Sequence, residues 1–307
     1  MKQILITLAF IYTTIAAMGQ TTTTKGTVEG KVIDKTNHTV VPYVNVLILN
    51  DDSKLGTTTN NDGIFRFTLN KKQLKKQFYV SAIGYKDTLI QFNQFGRNKV
   101  IALTPKVYQL EEVKVSAQPI EKFSFGSKDY RISQTDLGYS SVSDLSVRNS
   151  KNFSACVYIK PKKTKEQIVL RSISFCIRKA GPLQGKFLLR LLQPDKRLPL
   201  KILYPFSKCK DLQKEPIILT AKKRGWNDFD CSKHNIVLPN KPFVIILQKI
   251  DQGDTLAWGN ESYGSLLAYY ATNKLPLMQP AVQYYDKVSR VKILNVPAIV
   301  LNCWRYK

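Results

Sequence analysis

The sequence predicts an all-β chain made of two successive sandwiches. Three observations carry that expectation. Short segments alternate with period two and recur about every 8–12 residues. Gly, Pro, Asn and Asp mark the breaks between them. No long amphipathic helix interrupts the 307 residues. That length favours about two domains and can bury a core without staples.

The first segment, "MKQILITLAFIYTTIAAMGQ", has a basic Lys2, an apolar run from Ile4 to Ala17 and small residues ahead of Gln20. This is the layout of an export signal over residues 1–19. The run is too thinly flanked to serve well as a spanning helix, and no later stretch reaches the ~18 apolar residues that one needs. The mature chain is therefore expected to be exported, without a transmembrane segment: periplasmic, outer-membrane-associated or at the cell surface. No Cys near the cleavage site supports a lipid anchor.

Residues 26–104 read as the first sandwich. "TVEGKVID" alternates Val28, Gly30 and Val32 against Glu29, Lys31 and Ile33. "VPYVNVLIL" places Val44, Val46 and Ile48 on one face. In "GTTTNNDGIFRFTL", Asn61, Asp62 and Gly63 tolerate positive φ and predict a hairpin corner. Phe65, Phe67 and Leu69 then fall on one face of the next strand. A calcium loop set on Asp62-Gly63 would begin at Thr58 and end at Leu69, and both ends lack the required oxygen chemistry. "QFYVSAIGYKDTLIQF" gives two strands around Gly84, and "NKVIALTP" closes the set. Only "KKQLKK", 71–76, looks locally helical.

Residues 105–120 form an expected linker, bounded by prolines, with a strand of its own at Val113 and Val115. Residues 121–307 form a second β region. Its expected strands are Phe153–Lys160, Ile168–Ile177, Lys186–Leu192, Pro216–Thr220, Trp226–Cys231, Phe243–Ile250, Ser265–Ala271, Val282–Tyr285 and Ala298–Trp304. So many short strands predict a jelly-roll-like sandwich. "PFVIILQKI" is continuously apolar, as in a covered sheet. That pattern argues against a membrane barrel, whose strands alternate.

The first region resembles the carboxypeptidase regulatory-like domain, a transthyretin-like β-sandwich. The resemblance rests on Gly30, Val32, Pro42, Val44, Val46, Gly56, Thr57, Thr59, Asp62, Gly63, Phe65, Ile83, Gly84 and Tyr85. It implies a structural module, not a protease. The following "LEEVKV", Leu110 to Val115, is similar to a segment behind this domain in exported Bacteroidetes proteins, including TonB-dependent transporters. The second region, above all "KKRGWNDFDCSKHNIVLPNKPFVIILQKI", resembles a C-terminal β-domain of unknown function found behind the module in the same group. An Asp-x-Ser corner at Asp230 and Ser232 is part of that likeness.

Charge is uneven. There are 15 Lys/Arg and 8 Asp/Glu up to Ala117, and 32 and 14 after it, within an overall +25. Runs at Lys162 and Lys163 and at Lys222, Lys223 and Arg224 are candidate contacts for a polyanion. For an exported protein the expected partners are lipopolysaccharide, an envelope glycan or an outer-membrane protein. No nucleic-acid fold signature accompanies the charge. The five cysteines, Cys156, Cys176, Cys209, Cys231 and Cys303, include no C-x-x-C spacing. Cys156 and Cys176 could pair if their strands are neighbours; buried thiols are the alternative.

No catalytic constellation stands out. His38 and His234 are the two histidines, and neither opens a His-x-x-Glu pattern. Ser207 and Lys210 match Ser-x-x-Lys by spacing alone. Glu111 and Glu112 point to opposite faces of a strand. No metal, cofactor or catalytic residue is expected. Trp258, Tyr270 and Tyr285 are candidate sugar-stacking rings. The leading reading is a non-catalytic envelope scaffold or binding module. The alternatives are an accessory to a TonB-dependent system, or an enzyme acting on glycans or peptides through Asp254, Glu261 and Ser262 near Trp258.

Overall fold

Val, Ile and Phe at every second position give a strand one face to bury, and two such sheets bury each other. The computed structural model describes residues 25–49, 56–95, 99–107, 119–132, 154–177, 185–194, 209–250, 278–280 and 298–306. The first sandwich contains β1 (Lys25–Asp34), β2 (Asn45–Ile48), β3 (Gly56–Thr58), β4 (Ile64–Asn70), β5 (Gln77–Ser81), β6 (Thr88–Gln91) and β7 (Val100–Leu103). Sheet A has the order β4-β1-β7, and sheet B the order β3-β2-β5-β6. β7 runs parallel to β1; the other pairs are antiparallel. Val28, Val32, Val46, Phe65, Leu69 and Phe78 meet in the core between the sheets. The "KKQLKK" segment holds only a 3-10 turn, Gln73–Lys75.

The Asn-Asn-Asp-Gly corner is a turn, but not a hairpin. β3 pairs with β2 in sheet B, whereas β4 pairs with β1 in sheet A. The corner carries the chain across the sandwich, so Phe65 and Leu69 enter the core from the opposite sheet. Asn60 holds it: its Oδ1 accepts the N–H groups of Asp62 (3.0 Å) and Ile64 (2.9 Å). Gly63 sits at φ +68°, and a Cβ there would lie 2.7 Å from the Val32 carbonyl oxygen. Only glycine meets both conditions.

The second sandwich contains β8 (Glu121–Phe125), β9 (Ser154–Ile159), β10 (Gln167–Ile177), β11 (Gly185–Pro194), β12 (Cys209–Asp211), β13 (Ile217–Ala221), β14 (Gly225–Asp230), β15 (Val237–Leu238), β16 (Phe243–Lys249), β17 (Met278–Pro280) and β18 (Ile299–Tyr306). Sheet C runs β12-β11-β16-β9-β17, with β13 also on β11. Sheet D runs β14-β10-β18-β8, with β15 also on β10. Successive strands switch repeatedly between the sheets, β8 in D, β9 in C, β10 in D and β11 in C, as in a jelly roll. Phe125, Phe175, Phe187 and Phe243 fill the core between them. The expected strands Ser265–Ala271 and Val282–Tyr285, the strand at Val113 and Val115 and the leader lie outside the described residues.

Two expectations about thiols resolve. β9 and β10 belong to different sheets, so Cys156 and Cys176 are not on neighbouring strands. Cys176, Cys231 and Cys303 are free thiols. Burial pushes the Cys231 thiol up to about 11 and raises Cys176 and Cys303 as well. Such thiols are weak nucleophiles.

Sheet C is buried on both faces. Leu189, Leu191, Ile245 and Leu247 point into the jelly-roll core. Leu188, Leu192, Val244 and Ile246 alternate with them and are also buried. The same outward face carries Arg190 and Gln248, and these bond to the outward face of sheet B. Gln248 Nε2 donates to Asn45 Oδ1 (2.6 Å) and Thr58 Oγ1 (2.7 Å), while Asn45 Nδ2 donates to Gln248 Oε1 (3.1 Å). Arg190 Nη2 donates to Ser81 Oγ (3.0 Å), and its Nε donates to Asp211 Oδ1 (2.8 Å). Lys106 Nζ lies 3.3 Å from the other Asp211 oxygen. Sheets B and C therefore meet face to face, which explains the unbroken apolar run in "PFVIILQKI".

Candidate functional site

The outward face of sheet D is built from alternate residues of four strands. On β10, Ile173 and Phe175 go inward, so Ser172 and Ser174 go outward. On β14, Asp228 and Asp230 share the outward face; on β18, Asn302 and Trp304 do. The register lines up Ser124, Asn302, Ser172 and Asp230 across the sheet. Ser124 Oγ donates to Asn302 Oδ1 (2.7 Å), and Asn302 Nδ2 donates to Ser172 Oγ (2.8 Å).

A β-bulge interrupts the β10–β18 pairing between Leu170 and Ser172. The extra residue is Arg171. A bulge re-aims a side chain, and here the Arg171 guanidinium lies 4.2 Å from the centre of the Trp304 ring. Lys122 Nζ is 5.0 Å from the same ring. A second device is the stretch after β8. β8 and β14 are opposite edges of sheet D, yet Lys128 reaches Asp228 on β14. Residues 126–132 thus carry the chain from the β8 edge toward β14, with Tyr130 and Ile132 packed against the jelly-roll core, and Ser174 Oγ donates to the same Asp228 oxygen.

Between these features lies an open depression of about 470 Å³, lined by Arg171, Ser172, Asp228, Asp230, Asn302 and Trp304, with Phe229 and Ser232. Both carboxyls are held below the usual carboxylate range. For Asp228 the main cause is the Lys128 contact, then the Ser174 hydroxyl. For Asp230 it is the Ser232 hydroxyl, then the Ser232 N–H, which donates to Asp230 Oδ1 at 2.8 Å. Two ionised carboxylates beside a fixed guanidinium can bind hydroxyl groups. They do not supply the carboxylic acid of raised pKa that glycoside hydrolysis needs.

The residues singled out in the sequence fare unequally. Asn61, Asp62 and Gly63 form the sheet-crossing turn. Lys162 and Lys163 are exposed on the loop before β10, whose backbone is held by Asn240 donating to Thr164 O (2.7 Å). Lys222, Lys223 and Arg224 are exposed on the turn before β14, built around buried Asn227, which accepts the Lys222 and Lys223 N–H groups. Gly225 pairs with Ile177, so the two basic runs sit at opposite ends of the 11-residue β10. That separates them by roughly 33 Å, several Debye lengths at physiological salt, so they do not act as one patch. Trp258, Tyr270 and Tyr285, like Asp254, Glu261, Ser262, Ser207, Glu111 and Glu112, lie outside the described residues. His234 sits in the 3-10 turn Ser232–His234, its Nδ1 2.8 Å from Glu215. Among the described residues no three His, Cys, Asp or Glu side chains gather as a metal site.

Sequence reasoning missed Arg171, Trp304 and Asn302. The signal was the alternation of polar with apolar residues in "SIS" and "DFD", beside which Arg171, Asn302 and Trp304 lie. Which of them become neighbours depends on strand register, which period two does not fix.

Comparison with known proteins bears on the first sandwich. Residues 28–115 match the CarboxypepD_reg-like domain. No curated protein matches the sequence. Among solved structures, the chain is similar to the cysteine protease and lectin-like domains of Cwp84, a surface-layer-associated protein of Clostridium difficile. Identity is 11%, the TM-score is 0.30, and the match covers 85% of this chain and 58% of that one. The clostridial cysteine protease Cwp84 after propeptide cleavage matches at 10% identity and a TM-score of 0.31, over 92% of this chain and 70% of that one. Likeness at this level carries no argument. No helix among the described residues is long and apolar enough to cross a membrane.

Proposed function

We propose that this chain is an exported, non-catalytic binding protein of a Bacteroidetes-type cell envelope. The first sandwich, which matches the regulatory-like module, is its scaffold, and the jelly roll presents the binding surface. The observation that carries the reading is the depression on sheet D, on the side away from the buried B–C contact. The sandwich behind it is backed by a second sandwich, so the surface stands on rigid elements. The two lowered carboxyl pKa values also favour binding over hydrolysis at this place.

A second reading draws on net charge +25 and the two exposed basic runs: attraction to a polyanion such as lipopolysaccharide. Co-sedimentation of the leader-less protein with outer membranes across a salt series separates the two. Retention at high salt supports a specific envelope partner, and cross-linking then shows whether that partner is an outer-membrane protein such as a TonB-dependent transporter. Release by moderate salt supports the polyanion reading, because screening weakens exposed charge contacts. No sedimentation at any salt overturns the envelope assignment. Turnover of glycan or peptide substrates would overturn the non-catalytic one.

A further inference from the structure

We propose that the depression on the outward face of sheet D binds a neutral saccharide, with Arg171, Asp228, Asp230 and Asn302 as its polar contacts and Trp304 as the backing of Arg171. This rests on the reading of the chain as a binding protein and names its ligand class.

The chemistry of the lining decides between ligand classes. Arg171 lies against Trp304, and among the described residues its guanidinium makes no hydrogen bond. Its fork of N–H donors is therefore available and already oriented, so less side-chain freedom is lost when a ligand arrives. Asp230 Oδ1 accepts from the Ser232 N–H, and Asp228 Oδ1 accepts from Ser174 and Lys128. A carboxylate has several acceptor positions, so each can still accept from a ligand. The depression thus offers donors and acceptors together. A hydroxyl group is both a donor and an acceptor, and a sugar carries several in fixed relation.

Charge complementarity rules against the other occupants. An anionic ligand would meet two carboxylates held below the usual carboxylate range, and Lys128 is already engaged with Asp228. A cationic ligand would meet Arg171, Lys122 and Lys128. A metal ion would find one oxygen of Asp228 held by a lysine. A neutral, polyhydroxylated ligand satisfies donors and acceptors with no net charge. The volume, about 470 Å³, lies within the range of small-molecule sites, and the open face lets a chain continue in both directions.

The test is binding of the leader-less protein to mannan, dextran, xylan and a β-1,3-glucan, with heparin as the polyanion control. It is followed by affinity electrophoresis and by tryptophan fluorescence. The expected result is retardation by at least one neutral polysaccharide, with a fluorescence change that persists at high salt. Arg171→Ala and Asp230→Asn should each weaken that binding about tenfold or more, the loss of one charge-assisted hydrogen bond. Trp304→Phe should remove the fluorescence change. Glu29→Ala, on sheet A, should leave binding intact. Circular dichroism confirms that each variant is folded; Asp230→Asn keeps the side-chain shape and serves if Arg171→Ala does not fold. Binding unaffected by these substitutions, or binding to heparin alone, overturns the proposal. No saccharide binding overturns it too; if the protein still sediments with outer membranes at high salt, the wider reading stands, and if it does not, both fail.

Discussion

Asn45 and Gln248, 203 residues apart in sequence, close a ring of two amide hydrogen bonds between the sandwiches. Both are buried, at 6% exposure each. Removing the Gln248 amide takes away both bonds of the ring and leaves the Asn45 Nδ2 donor without its acceptor, while Thr58 keeps its own bond to Asn45 Oδ1. Gln248→Ala should therefore destabilise the protein by about 1–3 kcal/mol, the cost of unsatisfied buried polar groups. Chemical denaturation of Gln248→Ala, Asn45→Ala and the pair measures it. Non-additivity of about 0.5 kcal/mol or more is expected; simple additivity would mean that the ring carries no coupling.

The Arg190–Asp211 pair lies at the same contact, with side chains 3% and 1% exposed. Burial pulls the Arg190 pKa down, and the Asp211 carboxylate more than reverses this, so the guanidinium stays charged. Arg190→Met leaves Asp211 facing Lys106 alone and should cost about 3–5 kcal/mol. The double variant Arg190→Met/Asp211→Leu should recover most of that loss, because apolar replacement of a whole buried pair is often close to neutral. Thermal and denaturant unfolding of the three variants decide the point.

Asp34 and Tyr85 set pH limits on the first sandwich. The Asp34 carboxyl accepts the Thr36 N–H (2.6 Å) and the Tyr85 hydroxyl (3.0 Å) and is held below its usual range, with the Thr36 bond as the leading cause. Its stabilisation is present above the unfolded value of about 3.9 and is lost as pH falls through the folded value. Tyr85 shifts the other way. Burial first, then Asp34, pushes its hydroxyl up to about 12. Its contribution is complete below about pH 10 and disappears as pH rises toward that folded value. Unfolding midpoints should fall at both ends. Asp34→Asn should flatten the acid limb and Tyr85→Phe the alkaline one.

Gly63→Ala should destabilise the first sandwich by about 1–2 kcal/mol, since an L-residue there must adopt left-handed φ and its Cβ would crowd the Val32 carbonyl. Asn60→Ala, which removes both corner bonds, should have an effect of the same sign. Calcium and EDTA should leave the melting temperature unchanged. A calcium-dependent rise would return this corner to consideration as a metal loop.

Much of the fold was legible because period two is a local property. The alternation around Val44, Val46 and Ile48 marked a buried face directly, and the unbroken run at Phe243–Leu247 marked a covered sheet. Strand pairing was less legible. "NNDG" announces a reversal equally well whether the next strand joins the same sheet or the facing one, so the hairpin expectation gave way to a crossing turn. The depression was harder still to find. Arg171 reaches Trp304 through a bulge, and Lys128 reaches Asp228 from the stretch after β8, and neither relation leaves a spacing in the sequence.

The doubly covered sheet C bears on how this chain can be divided. A sandwich of the regulatory-like kind is readily pictured as a detachable bead, to be cut away or exchanged between proteins. Here its removal would bare Leu188, Leu192, Val244 and Ile246 and leave Arg190 and Gln248 without their partners in sheet B. The jelly roll on its own would be a sticky, association-prone fragment. The two halves thus depend on each other's surface, and a graft of the first half onto another partner must bring a matching polar face with it.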